Sequence, residues 1–275
     1  MSDSLHPYDV FIEPSFRRVK VIFAGQTLVD TRDALLVHER GHVPVYYVPV
    51  EQVRDDLLHP SDTTTNCPGK GDARYWDLKY GEHWSENAVW RYTRPSTDVG
   101  ERLTDYYAFD WRAVDVWYEE DEELFSHSHA RDPYKRIDAL ASSRHVRVIV
   151  DDVVVADSHH PIVVFETGVP ALYYLPLQDV RTDLLEPTRT VTHCPYKGAA
   201  RYWSISIDGR TRQDVVWTYS SPFTEMSKIA GLLAFFPERV DRFEVDGEPL
   251  DVGEWNFSVL DYLNRGRFYG SKPTP

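Results

Sequence analysis

Cysteine is nearly absent from this sequence, with only Cys67 and Cys194 among 275 residues. Two are too few for a disulfide framework or for a multi-cysteine zinc site of the usual spacing. No apolar run approaches the ~20 residues of a membrane-spanning helix. The opening stretch, Met1 to Pro14, is polar and acidic and lacks a basic segment followed by an apolar one. A membrane is therefore not expected as a partner, and a cytoplasmic address is the default expectation. Positive charge is also scarce: 30 basic against 44 acidic residues leave a net charge of −14, which disfavours nucleic acid as a partner. What remains is a globular mixture, 42% hydrophobic and 27% charged. Its length suits one large domain or two ordinary ones.

Comparing the sequence with itself reveals a tandem repeat. Val19 to Pro95 aligns with Val146 to Pro222 at a constant offset of about 127 residues, with about 30 identities in about 77 positions. Tyr46-Tyr47-Val48-Pro49 matches Tyr173-Tyr174-Leu175-Pro176. The densest match pairs Cys67-Pro68-Gly69-Lys70-Gly71 and Arg74-Tyr75-Trp76 with Cys194-Pro195-Tyr196-Lys197-Gly198 and Arg201-Tyr202-Trp203. Trp90 and Tyr92 then pair with Trp217 and Tyr219. A period this long describes duplicated domains and not a solenoid of small units.

The repeat and the composition set expected boundaries. A first repeat domain covers 15–125, a linker 126–144, a second repeat domain 145–250, and a C-terminal tail 251–275 that docks on a domain through its aromatics. Within the linker, Tyr134 to Leu140 reads as a short helix, and His127 and His129 read as a solvated pair in a polar loop. Most of the rest reads as strand. Val146 to Val150, an Asp-Asp turn and Val153 to Ala156 form a hairpin pattern of β-branched residues, and Pro161 to Phe165 with Ala171 to Leu175 form another around Thr167-Gly168. Leu177, Val180 and Leu184 have helical spacing, and Thr224 to Ile229 reads as a second short helix. The fold class is mainly β with short helices, built twice.

Several segments of the second copy carry a family resemblance: Tyr173 to Val180, Thr192 to Gly198, Tyr202-Trp203, Val216 to Tyr219 and Ile229 to Phe236. Together with their first-copy counterparts they resemble the bacterial and fungal family catalogued as domain of unknown function 427, also catalogued as nucleotidyltransferase-like. The resemblance spans about 200 residues and implies two tandem copies of a β-tent-like domain, a fold related to methionine sulfoxide reductase type B and the thalidomide-binding domain of cereblon. It implies no particular activity. Polymerase-type nucleotidyl transfer needs Gly-Ser followed by an Asp-x-Asp pair to hold magnesium, and the sequence contains no such pair. One cysteine per copy likewise cannot supply the four-cysteine zinc site of those relatives. The second copy keeps the pattern more closely, since the first has Asn66 for His193 and Gly69 for Tyr196, so the working pocket is expected there.

Two readings compete at each candidate. Cys194, beside His193 and three residues from Lys197, has the setting of an activated nucleophile, whereas the absence of that histidine beside Cys67 and of a third orienting group favours a small buried residue at a tight turn. Lys70 and Lys197 sit in a Pro-x-Lys-Gly turn and suit a carboxylate or phosphate, as do Arg54, Arg181, Arg74 and Arg201. The alternative is internal pairing with Asp56 and Asp183, or with Glu39 and Glu166. The aromatics Tyr47, Tyr75, Trp76, Trp90, Tyr92 and Tyr174, Tyr202, Trp203, Trp217, Tyr219 line a pocket or fill a core. Adjacent Tyr202 and Trp203 must face opposite sides of a strand.

The expected function is therefore small-molecule binding in an aromatic pocket whose loop lysine holds an anionic or polar ligand. The ligand-binding candidates are Tyr174, Arg181, His193, Lys197, Arg201, Tyr202, Trp203, Trp217 and Tyr219 with their first-copy equivalents Tyr47, Arg54, Lys70, Arg74, Tyr75, Trp76, Trp90 and Tyr92. An enzyme using Cys194 and Lys197 on a small metabolite or nucleotide is the first alternative, and a protein-interaction scaffold the second. No cofactor and no metal are expected, and a monomer with an internal pseudo-dimer is the expected state.

Overall fold

The computed structural model describes residues 10–124 and 129–250, which divide into two compact units, one ending at Asp132 and one beginning at Pro133. In the first unit the strands are β1 (Val10–Pro14), β2 (Val19–Phe23), β3 (Gln26–Thr31), β4 (Leu35–Glu39), β5 (Val45–Pro49), β6 (Leu58–Cys67), β7 (Gly71–Tyr80), β8 (His83–Pro95), β9 (Tyr106–Phe109), β10 (Val116–Glu119) and β11 (Glu122–Glu123). They build a seven-stranded sheet in the order β1-β4-β5-β9-β8-β7-β6 and a four-stranded sheet in the order β11-β10-β2-β3.

The second unit repeats the plan with β12 (Ile137–Ala141), β13 (Val146–Val150), β14 (Val153–Ser158), β15 (Ile162–Glu166), β16 (Val169–Leu175), β17 (Leu185–Cys194), β18 (Gly198–Ile207), β19 (Arg210–Thr218), β20 (Leu233–Phe235), β21 (Arg242–Val245) and β22 (Glu248–Pro249). Its sheets run β12-β15-β16-β20-β19-β18-β17 and β14-β13-β21-β22. The chain is thus mainly β, with two similar sets of sheets. Among the described residues no helix is long and apolar enough to cross a membrane.

Each unit has two apolar layers because the large sheet is covered on both faces. In the first unit one core joins the sheets through Val19, Val21, Leu28, Tyr46, Val48, Leu78, Val89 and Trp117. The opposite face of the large sheet gathers Val37, Tyr47, Ala73, Tyr92 and Ala108. The pleat makes the division: along β5, Tyr46 and Val48 enter the first layer and Tyr47 the second. The second unit divides the same way, with Tyr173 and Leu175 between the sheets and Tyr174 behind.

Two local expectations are corrected. Tyr134 to Leu140 does not form a helix, because Ile137–Ala141 pairs antiparallel with β15 and satisfies the backbone groups of that strand's outer edge. The helical spacing of Leu177, Val180 and Leu184 becomes two separate 3₁₀ turns, Leu177–Asp179 and Thr182–Leu184. They are parted because buried Val180 forms a β-bridge with Ala156. The Val146, Ile162 and Thr224 segments take the elements read from their patterns. His127 and the tail 251–275 lie outside the described residues.

The turns that carry the two loop lysines require glycine. Gly71 and Gly198 have φ of 108° and 104°, a region costly for any residue with a Cβ. A Cβ on Gly71 would lie 2.2 Å from the backbone oxygen of Arg94, whereas one on Gly198 would meet its nearest neighbour at an ordinary 3.5 Å. Gly198→Ala is therefore expected to cost about 1–3 kcal/mol from backbone strain alone, and Gly71→Ala clearly more. Urea unfolding of both variants checks the order.

Candidate functional site

Each lysine turn closes a hairpin. Cys67 pairs with Gly71 across β6 and β7, Lys70 N–H donates to the Cys67 carbonyl at 3.0 Å, and the Lys70 carbonyl accepts from Ser96 N–H at 3.3 Å. The second copy has the same pairing of Cys194 with Gly198, and the Lys197 carbonyl accepts from Phe223 N–H at 3.2 Å. These bonds anchor the loop backbone and turn both lysines inward, where each is only 5% exposed.

A buried ammonium needs a counter-charge, and the ends of β4 and β15 provide it. Lys70 donates to Glu39 and Lys197 to Glu166. The second copy adds a further cation: Lys135 bonds the other carboxylate oxygen of Glu166 at 3.0 Å. Its Nζ also lies 5.4 Å from the centroid of the Tyr196 ring, at the position held by Gly69 in the first copy. The exposures diverge accordingly. The Glu166 side chain is 6% exposed and that of Glu39 is 20% exposed.

The titration behaviour reflects these contacts. Burial raises the Glu166 carboxyl, but Lys197 and Lys135 outweigh it and hold the group below its ordinary value. Burial lowers both lysines, yet the electronegative groups facing them, Cys194 and Glu166 for Lys197 and Tyr47 and Glu39 for Lys70, hold them above the usual lysine range. Desolvation pushes Tyr174 up to about 12, and Tyr92 and Tyr219 also move upward. The surrounding phenols therefore stay protonated at neutral pH.

The structure separates the candidate residues into those that meet around the lysine and those that do not. In the first copy Tyr47, Lys70, Tyr75, Trp90 and Tyr92 line one cavity of about 270 Å³ together with Glu39. Tyr47 stands edge-on to Trp90 at 6.5 Å, and Lys70 Nζ lies 5.5 Å from the centre of the Tyr92 ring. In the second copy Tyr174, Trp217, Tyr219 and Tyr202 share one apolar layer with Cys194. Trp217 donates to the Tyr174 hydroxyl at 3.4 Å, and Tyr202 pairs its hydroxyl with Thr192 at 2.7 Å.

The other candidates lie elsewhere. Trp76 and Trp203 point through the sheet into the layer between the sheets, the alternation expected of neighbours of Tyr75 and Tyr202. Arg54 and Arg181 chelate Asp56 and Asp183 two residues on, at the surface. Arg74 and Arg201 are exposed, and His193 is half-buried on β17 opposite Ala199. Cys67 and Cys194 are free and half-buried.

Residues outside the candidate set also enter. Lys135 lies in the segment read as a linker, and nothing in its local sequence marks it as a neighbour of Glu166. A different cluster, His145, Asp157 and His159, sets three metal-ligand atoms within 4.8 Å of one another. Its Asp157 already accepts from His145 at 2.7 Å and faces Arg147 at 3.5 Å.

With the repeated sheets and their lysine turns described, comparison with known families fits both halves. The profile described as Domain of unknown function (DUF427) matches residues 11–120 and again 138–246, and the chain belongs to this family as a tandem of two such domains. Comparison with curated proteins gives no match.

The Glu166 cluster generates a pH prediction. Because its carboxyl is held below its ordinary value of 4.5, its ionised form adds stability that is fully present above that value and lost as pH falls through the lower folded value. Glu166→Gln is expected to cost the second unit about 3–5 kcal/mol at neutral pH and to flatten the acid limb of its stability profile. Urea unfolding from pH 3 to 7, followed by hydrogen exchange in the second unit, measures both.

Proposed function

We propose that the chain binds a small polar molecule in the first unit, between the Lys70 and Glu39 pair and the aromatic walls of Tyr47, Tyr75, Trp90 and Tyr92. One observation carries the reading: five of the eight first-copy candidates line a single cavity that also reaches a buried ammonium and its partly accessible carboxylate. Site formation by placed polar groups in an apolar recess is the general pattern of ligand pockets.

The cavity's size and charge narrow the ligand. A volume of about 270 Å³ equals about nine water molecules at liquid density, so the occupant is metabolite-sized. The Lys70 and Glu39 charges cancel, so the best ligand has an acceptor for the ammonium beside a donor for the carboxylate, as in a hydroxy acid or an amide. A simple anion would have to compete with Glu39 for Lys70. The reading moves the expected pocket from the second copy to the first, where Gly69 stands instead of Tyr196 and the Glu39 side chain keeps 20% exposure against 6% for Glu166.

The test is a thermal-shift series with lactate, glycolamide and inorganic phosphate. A ligand at about 100 times its Kd adds about 2.7 kcal/mol, several degrees for a unit of this size. Lactate or glycolamide is expected to raise the melting temperature of the wild type and of Lys197→Met but not of Lys70→Met. A wild type unmoved by all three, or a shift that survives in Lys70→Met, rejects the site.

A further inference from the structure

A second cavity in the first unit, of about 450 Å³, lies where β9 ends. β9 separates β5 from β8 only through Phe109: Ala108 pairs with Tyr47 on one side and with Trp90 on the other, and Phe109 pairs with Val89. Beyond Phe109 the chain turns away into a short 3₁₀ turn, Trp111–Ala113, and the space between Val45 and Asn87 opens. Tyr75 and Trp90 form a wall common to this cavity and the smaller one.

The second copy shows what fills this space. Asp110 N–H donates to the Ala88 carbonyl at 2.8 Å, and Phe236 N–H donates to the Val215 carbonyl at 3.0 Å. Ala88 and Val215 are repeat equivalents, so Asp110 and Phe236 occupy the same place. The Phe236 ring lies 4.3 Å from Trp217, the counterpart of Trp90, and stacks at 10° on Tyr202, the counterpart of Tyr75. In the first copy the Asp110 carboxylate instead folds onto its own turn, accepting from Arg112 N–H at 2.9 Å. A phenyl ring is thus exchanged for a short capping side chain, and the aromatic faces it would cover are left to the cavity.

The first copy also adds aromatic surface of its own. Trp111 lies flat on Trp117, with centroids 4.3 Å apart and planes 2° from parallel, where the second copy has Pro237 and Phe243. Trp117 uses its indole N–H on the Trp111 carbonyl at 3.3 Å, so it presents ring surface and no spare donor. Asn87, Asp110 and Arg112 supply the polar lining.

We infer that this cavity is a binding site for a planar aromatic molecule of one or two rings, whose ring takes the place that Phe236 holds in the second copy and whose polar substituent lies toward Asn87 and Arg112. The volume falls within the range of small-molecule pockets, and ring-on-ring contact favours aromatic over saturated occupants. The site adjoins the Lys70 pocket across Tyr75 and Trp90, but the inference does not rest on that pocket's function.

The test uses indole and benzyl alcohol as probes, cyclohexylmethanol as the saturated control, and the full chain labelled with ¹⁵N at tryptophan. Indole and benzyl alcohol at millimolar concentration are expected to shift the Nε1–H signals of Trp90, Trp111 and Trp117, assigned by single Trp→Phe variants, and to bind several-fold more tightly than cyclohexylmethanol. Asp110→Phe should weaken both probes at least tenfold, Asp110→Asn should retain them, and Lys70→Met should leave them unchanged. Unmoved tryptophan signals in the wild type overturn the inference without reference to any variant. Equal binding of the saturated control, or full binding by a folded Asp110→Phe protein, also overturns it. A failed Lys70 pocket with intact indole binding separates the two sites.

Discussion

A buried lysine facing a glutamate across the large sheet connects the parts of each unit on which the rest depends. Lys70 stands at the tip of the β6–β7 hairpin and Glu39 at the end of β4, and Lys197 and Glu166 repeat the arrangement 31 residues apart in the chain. Such a pair is weak evidence for net stability, because desolvation offsets most of the attraction. Its effect is on placement. An ammonium in an apolar layer has few acceptable positions, so the pair sets where the hairpin tip lies relative to β4 or β15. The wall formed by Tyr47, Trp90 and Tyr92, or by Tyr174, Trp217 and Tyr219, then packs around it.

The two units use this frame differently. In the second, Lys135 and Tyr196 join the pair and Phe236 covers Trp217, so charge and ring surface are both engaged within the domain. In the first, Gly69 and Asp110 stand in the places of Tyr196 and Phe236, and both described cavities lie there. Duplication allows this division: the second copy sets Tyr196 and Phe236 against its lysine and its tryptophan, while the first exchanges these bulky side chains for small or capping ones. The copy that matches the family pattern more closely is the one in which Tyr196 and Phe236 occupy these two places.

Much of the plan was legible from local chemistry. The repeat gave the tandem domains, and hairpin patterns around Asp151-Asp152 and Thr167-Gly168 correspond to β13–β14 and β15–β16. The Lys-Gly turns were visible because a glycine after a functional-looking lysine marks a special backbone angle. Period-two alternation also anticipated that Tyr202 and Trp203 would separate. For Arg54 and Arg181 the alternative reading, internal pairing, is the one the structure shows: each has an aspartate two residues on, and that local partner holds the guanidinium at the surface.

The sequence by itself determined the duplication, the strand-rich fold and the identity of the turn residues, since these follow from periodicity, β-branching and glycine's freedom at positive φ. Only the tertiary structure decided that Ile137–Ala141 is an edge strand, that Lys135 reaches Glu166, and that Asp110 opens a space which Phe236 fills. Each of these depends on groups brought together across the sheet, where unsatisfied backbone, an unpaired buried charge or an uncovered ring selects its neighbour by position and not by distance along the chain.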